Sequence, residues 1–236
     1  MIQRCHTCGA ALPGDGHSLC PACLLRLTLA PSDLPSEDSF GNYEPVSVLG
    51  EGGMGVVYLA EQTAPLRRMV ALKVLKAGAA EGAGLERFER ERQSLARMDH
   101  PNIAIIYDAG TSRRGVPYFA MEYLDGVPLT SYCDEARLSI DARLQLFLQV
   151  CLAVDHAHQR GILHRDIKPG NVFVVQGEGQ ARVKVIDFGL ARLQDWHTFG
   201  RGDLTGTAQI VGTPEYMSPE QASGPESKIG PASDVY

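Results

Sequence analysis

The chemistry-bearing side chains concentrate between His164 and Gly189. HRDIKPGN (His164 to Asn171) is followed, after a stretch that reads as a hairpin, by DFG (Asp187, Phe188, Gly189). Asp166, Asn171 and Asp187, three groups suited to metal or proton chemistry, therefore fall on two neighbouring loops. Phosphoryl transfer needs such a set, because the transferred group requires charge neutralisation by Mg²⁺ and a positioned nucleophile more than covalent help from the protein.

A second set lies upstream. LGEGGMGVVY places Gly50, Gly52 and Gly55 in a G-x-G-x-x-G pattern, where missing Cβ atoms let backbone N–H groups approach phosphate oxygens. A dinucleotide fold would run from these glycines into a helix. Here they run into Val56, Val57 and Tyr58, which favour a strand. VALK (Val70 to Lys73) then puts a lysine among apolar strand residues. A carboxylate able to orient it is Glu91, which shares a three- and four-residue spacing with Phe88, Leu95 and Met98 and so lies on the inward stripe of a helix over Leu85 to Met98. Glu89 is turned away by about 200° of helical rotation and sits among Arg87, Arg90 and Arg92.

The elements that must position these residues follow from local pattern. Pro45 to Leu49, Gly55 to Glu61, Met69 to Leu75, Ile103 to Ala109 and Tyr118 to Glu122 read as strands, Ile140 to Gln159 as a long helix, and Asn171 to Val175 with Arg182 to Ile186 as paired strands. Three regions separate: a cysteine-bearing module over 1–30, a Pro-, Ser- and acid-rich linker over 31–42, and a folded domain over 43–236.

The motif set resembles the protein kinase family. The resemblance implies an α+β, bilobal protein kinase fold, with a β-rich N-lobe and a mainly helical C-lobe. It implies that Asp166 orients the substrate hydroxyl, that Asn171 and Asp187 hold Mg²⁺, and that Lys168 marks a serine/threonine kinase. ATP would be bound by Leu49, Gly50, Glu51, Gly52, Gly53, Met54, Gly55, Val56 and Val57, together with Lys73 and Glu91. His164 and Phe188 would belong with Leu95 to a packed column rather than to acid–base chemistry. Arg165 suggests regulation by a phosphate on the segment from Asp187 to Glu220, which offers Thr205 and Thr207 for autophosphorylation, while Thr213 would line the substrate cleft. Ser218 replaces the usual alanine of the motif ending at Glu220, which would pair with a later arginine. Asp234 would brace the HRD backbone, and the C-lobe is expected to be incomplete because most of the helix begun there is missing. GEGGMGVVYLA and PEYMSPEQ are most similar to bacterial kinases of the eukaryotic type, so the expected substrates are ATP and proteins of a signalling pathway. A catalytically weak or inactive scaffold is the alternative.

Cys5-x-x-Cys8 and Cys20-x-x-Cys23 supply four thiolates with eleven residues between the pairs, a shorter interval than the common zinc ribbon. Tetrahedral Zn²⁺ at roughly 2.3 Å from each sulfur would suit two such turns, giving a zinc-ribbon-like module with a structural Zn²⁺. Cys151 shares a helical face with Leu144, Phe147, Leu148 and Leu152 and reads as core.

Composition bounds the remaining classes. Hydrophobic residues make up 44% and charged ones 21%, and 22 Lys and Arg stand against 28 Asp and Glu, a net charge of −6. That balance, with only Arg4 and Arg26 as strong cations in the first 30 residues, argues against a nucleic-acid partner. No run approaches the roughly 18 apolar residues of a spanning helix, and the amino terminus lacks a secretory apolar core, so a cytoplasmic setting is expected, with anchoring through a missing C-terminal region as the exception.

Overall fold

The strand-rich stretches after Asn42 pair into one antiparallel sheet of five strands, in the order β1-β2-β3-β5-β4. These are β1 (Tyr43–Gly52), β2 (Gly55–Gln62), β3 (Arg68–Leu75), β4 (Ile106–Thr111) and β5 (Pro117–Glu122). The structure is a computed structural model that describes residues 39–52, 55–75, 98–177, 180–188, 214–223 and 229–236. Alternation decides which side chain faces where. On β3, Val70 and Leu72 pack outward with Tyr58, Ala60, Tyr118 and Ala120 under Phe40 and Tyr43. Ala71 and Leu75 face the other way, with Phe119 and Met121, into a core that continues through the rest of the molecule. Period two then puts Lys73, between Ala71 and Leu75, on that inner face. Each fully buried Leu or Phe contributes about 1.5–3 kcal/mol to this arrangement.

Ser39 to Asn42, read from sequence as linker, belong to the folded unit that spans Ser39–Tyr236. Phe40 is buried edge-on against Tyr118 with ring centroids 5.7 Å apart, and the Asn42 carbonyl accepts from the Thr63 N–H at 2.8 Å. The cysteine-bearing region and most of the expected helix from Leu85 to Met98 lie outside the described residues.

After β5 come β6 (Gly126–Pro128), α1 (Leu129–Glu135), α2 (Ile140–His158), β7 (Val172–Gly177) and β8 (Gln180–Val185). The last three strands form their own sheet, β6-β7-β8. β6 and α1 are too short to show a sequence period. Ser139 caps α2, its hydroxyl accepting from the Ala142 N–H at 3.3 Å, and Asp141 complements the positive end of the helix dipole. The chain leaves α2 through Gly161 at φ +72°, where a side chain would be strained.

α2 corrects one sequence expectation. It buries Leu146, Val150, Ala153, Val154 and Ala157. The stripe containing Cys151 is exposed instead, with Leu144 and Phe147 each 56% accessible. Both stripes are apolar, but only the one with two alanines lets the helix axis approach β8 closely enough for dense packing. Cys151 lines a groove of about 580 Å³ together with Phe147, Val154 and Val172. Cys133, on α1, is buried. Ile103, expected to open β4, instead makes an isolated parallel bridge to Val185. Among the described residues no helix is long and apolar enough to cross a membrane.

Candidate active site

The β1–β2 hairpin carries the glycines. Leu49, Gly50 and Glu51 are exposed at the end of β1, Gly52 pairs with Gly55, and Val56 and Val57 continue into β2; Gly53 and Met54 lie outside the described residues. The three glycines differ in what they permit. Gly55 has φ +150°, and a Cβ there would lie 2.0 Å from the Val74 carbonyl oxygen. At Gly50 and Gly52 a Cβ would meet nothing within 4 Å, so their surface is open to a ligand. Val57 is in register with Lys73 on β3, which is only 4% exposed. Lys73 Nζ donates to Asp187 Oδ2 at 2.7 Å. Glu91, its expected partner, lies outside the described residues.

The loop between α2 and β7 gathers the other groups. Asp166 Oδ2 accepts from Lys168 Nζ at 2.7 Å and from Asn171 Nδ2 at 3.1 Å. Asn171 Nδ2 also donates to the Asp166 carbonyl at 2.8 Å, and the Asn171 carbonyl accepts from the Ile186 N–H at 3.0 Å, which ties this loop to the approach to Asp187. Both Asp166 and Asn171 are buried. Thus each of the two carboxylates, Asp166 and Asp187, is neutralised by one lysine.

Arg165 and Asp187 sit at φ +68° and +65°. Such left-handed conformations cost non-glycine residues of order 1–3 kcal/mol each and persist where the surroundings over-determine them. For Arg165 the surroundings are explicit. Asp234 Oδ1 accepts from the Arg165 N–H at 2.6 Å, and its Oδ2 accepts from the His164 N–H at 2.8 Å and contacts His158 Nε2 at 2.8 Å. The brace that the motif resemblance implied for Asp234 is therefore present in the geometry.

His164 is fully buried. Its Nδ1 accepts from the Asp166 N–H at 3.2 Å, its Nε2 donates to the Ile186 carbonyl at 2.8 Å, and its ring lies 4.7 Å from that of Phe188. Burial lowers its pKa, against partial compensation from the Ile186 carbonyl and nearby carboxylates. A neutral imidazole with both nitrogens committed positions the loop; it is not free to exchange protons with a substrate.

Sequence reasoning missed a polar bridge between the two sheets. Lys184 on β8 is 7% exposed; its Nζ donates to Glu122 Oε2, at the end of β5, at 2.8 Å and reaches the Ile103 carbonyl at 3.4 Å. Glu122 Oε2 also accepts from the Ile105 N–H at 3.1 Å. Beside it, Asn102 Nδ2 donates to the Val183 carbonyl at 2.8 Å and to Gln149 Oε1 at 2.9 Å. In RVKVI the lysine alternates with valines, and nothing local points to a partner 62 positions away. Gly189 and Thr198, Thr205, Thr207 and Thr213 lie outside the described residues. Glu220, expected to meet an arginine, accepts from the Ser233 hydroxyl. Among the described residues no group of three or more His, Cys, Asp or Glu could hold a metal ion.

Exposed glycines on a hairpin, a buried ammonium, and lysine-paired carboxylates on adjoining loops are the arrangement that phosphoryl transfer in a two-lobed kinase fold would need. The chain belongs to the protein kinase family, whose family model, described as the protein kinase domain, matches residues 43–236. It is similar to the serine/threonine-protein kinase Pkn1 of Myxococcus xanthus, 43% identical over 159 residues, 66% of this chain and 22% of that protein. It is also similar to the serine/threonine-protein kinase PrkC of Bacillus subtilis, 41% identical over 153 residues, 64% of this chain and 23% of that one. The chain thus spans less than a quarter of the length of these curated relatives. Among solved structures, the kinase domain of Mycobacterium tuberculosis PknI matches with a TM-score of 0.62 at 32% identity, covering 83% of this chain and 70% of that one.

Proposed function

We propose that the chain is a serine/threonine protein kinase that transfers the γ-phosphoryl group of ATP to Ser or Thr hydroxyls of proteins in bacterial signalling. The observation that carries this reading is the bonding of Lys168 and Asn171 to the buried Asp166 within one loop. The relatives' names support the Ser/Thr assignment.

In this reading Asp166 accepts a hydrogen bond from the substrate hydroxyl, orients it and takes up its proton, while Lys168 balances the charge gathering beside it. Lys73 serves the α- and β-phosphates, with Glu91 as its orienting partner. The backbone from Leu49 to Val57 covers the nucleotide, with Gly50 and Gly52 providing the close approach and Gly55 the sharp return into β2. Asn171 and Asp187 would hold Mg²⁺, which supplies charge neutralisation to the transferring phosphoryl group. A protein kinase with all of these groups is favoured over an inactive scaffold. Free thiols at Cys133 and Cys151 and the need for ATP suit a cytoplasmic setting.

The test is ³²P transfer from ATP to a generic basic protein by the purified chain and its Asp166→Asn variant. Transfer by the former and its loss in the latter are expected; equal, near-zero incorporation in both would refute the enzyme reading. Thr205 and Thr207 are the proposed autophosphorylation sites, to be read by mass spectrometry of the same reaction. We also propose a structural Zn²⁺ on Cys5, Cys8, Cys20 and Cys23, supported by the two Cys-x-x-Cys pairs. One zinc per chain is expected by elemental analysis, and zinc that persists after Cys5→Ser and Cys20→Ser would remove the assignment.

A further inference from the structure

Immediately ahead of Asp166 lies the strained residue Arg165, and its backbone is gripped at both ends. Its N–H is held by Asp234, as described above. Its carbonyl accepts from Gln221 Nε2 at 2.7 Å. Gln221 comes from a distant piece of chain, the short helix α3 (Pro219–Ser223).

Both ends of the Gln221 amide are used. Oε1 accepts from the Ser218 N–H at 3.1 Å while Nε2 serves Arg165. The reverse orientation would set the NH₂ against the Ser218 N–H and the amide oxygen against the Arg165 carbonyl, so the network fixes the assignment. The Gln221 backbone N–H bonds the Ser218 carbonyl at 3.0 Å and its hydroxyl at 3.4 Å. Ser218 is 1% exposed, so water does not replace these contacts. A glutamine is the side chain that both reaches this carbonyl and carries a donor and an acceptor. A methionine has the length without either, and a glutamate has acceptors only.

We propose that Gln221 is a positioning residue for phosphoryl transfer: it couples the seating of α3 to the peptide plane that aims Asp166. The proposal rests on the kinase reading above. Its consequence is specific, because the glycine hairpin, Lys73 and Asp187 lie on other elements and make no bond to Gln221. Releasing the Arg165 carbonyl leaves the 165–166 peptide held only through the Asp166 N–H on His164 Nδ1, which loosens it and misdirects Asp166, while β1 to β3 keep their shape.

The experiment compares the chain with Gln221→Met and Gln221→Glu, measuring kcat, KM for ATP, thermal midpoint and amide hydrogen exchange at Asp166. The methionine variant is expected to lose about tenfold in kcat, the loss expected from one hydrogen bond, with KM for ATP within about twofold. The glutamate variant is expected to lose more near pH 8, with its deficit relative to wild type narrowing toward acid pH as the carboxyl gains a proton and becomes a donor. Faster exchange at the Asp166 amide is expected in both. Unchanged kcat in both folded variants, or a KM for ATP that rises in step with the loss, would overturn the proposal. Should one variant fail to fold, the other decides. If the wild-type chain transfers no phosphate, the kinase reading fails separately, and the exchange arm still judges the coupling: unchanged exchange at Asp166 overturns it and faster exchange supports it.

Discussion

Replacing Asp234 by asparagine changes one oxygen to NH₂ and nothing in size, yet the structure makes it a severe substitution. The Asp234 side chain is 1% exposed and meets three nitrogen atoms: the backbone amides of His164 and Arg165 and His158 Nε2. An asparagine has one acceptor oxygen. If that oxygen faces Arg165, the NH₂ opposes the His164 N–H; flipped, it opposes the Arg165 N–H across a 2.6 Å gap. Either way one buried backbone donor is orphaned, at about 1–3 kcal/mol, and the surviving bonds lose the extra strength of a charged acceptor. We expect Asp234→Asn to destabilise the fold by about 3 kcal/mol, or about 6–12 °C in thermal midpoint for a domain of this size. The assay is urea unfolding at neutral pH, read as a shift in midpoint at constant m-value. Asp155→Asn is the control: its carboxylate accepts from Gln159 Nε2 on an exposed helical face, and its loss should stay below about 0.5 kcal/mol. An Asp234→Asn variant as stable as that control would refute the claim that this carboxylate sustains the left-handed backbone at Arg165.

Three further outcomes follow from the same structure. Gly55→Ala drives a Cβ into the Val74 carbonyl and should cost several kcal/mol by urea unfolding, on the order of an incompatible φ plus a clash, whereas Gly52→Ala should leave stability within about 1 kcal/mol and instead raise KM for ATP. His164 has its pKa lowered by burial from the ordinary histidine value of 6.5, so the unfolded chain binds the extra proton first; stability should fall as pH drops below about 6.5 and level off below the lowered folded pKa, and His164→Phe should flatten that slope apart from the part due to His100, also lowered. Lys184→Met leaves the Glu122 carboxylate half-buried without its cation and should destabilise by about 2–3 kcal/mol, while the double variant with Glu122→Leu should recover part of it, a coupling of at least about 1 kcal/mol in a double-mutant cycle.

The strands on either side of the glycines and the long helix were legible because period and turn residues are local. So was the gathering of Asp166, Lys168 and Asn171, since HRDIKPGN holds them at short spacing. Legibility failed where two local solutions were equally good. α2 has two apolar stripes, and only packing against β8 chooses the one with Ala153 and Ala157, which is why Cys151 faces outward. It failed also where one polar residue depends on a distant partner: nothing near Lys184 in the sequence points to Glu122, and nothing near Gln221 points to Arg165. Phe40, in a polar segment, was hidden for the same reason, since its burial depends on Tyr118 across the sheet.

The loop HRDIKPGN is held by groups that its own sequence does not contain. Asp234 is 70 positions from His164 along the chain, Gln221 is 56 from Arg165, and the Ile186 carbonyl is 22 from His164. The strain at Arg165 is therefore sustained by tertiary closure rather than by local preference, which would release it. The contacts on the Arg165 backbone come from α3 and the turn Pro231–Asp234, whereas Gly50, Gly52 and Lys73 lie on β1 to β3, so a displacement of α3 acts first on the Arg165 carbonyl.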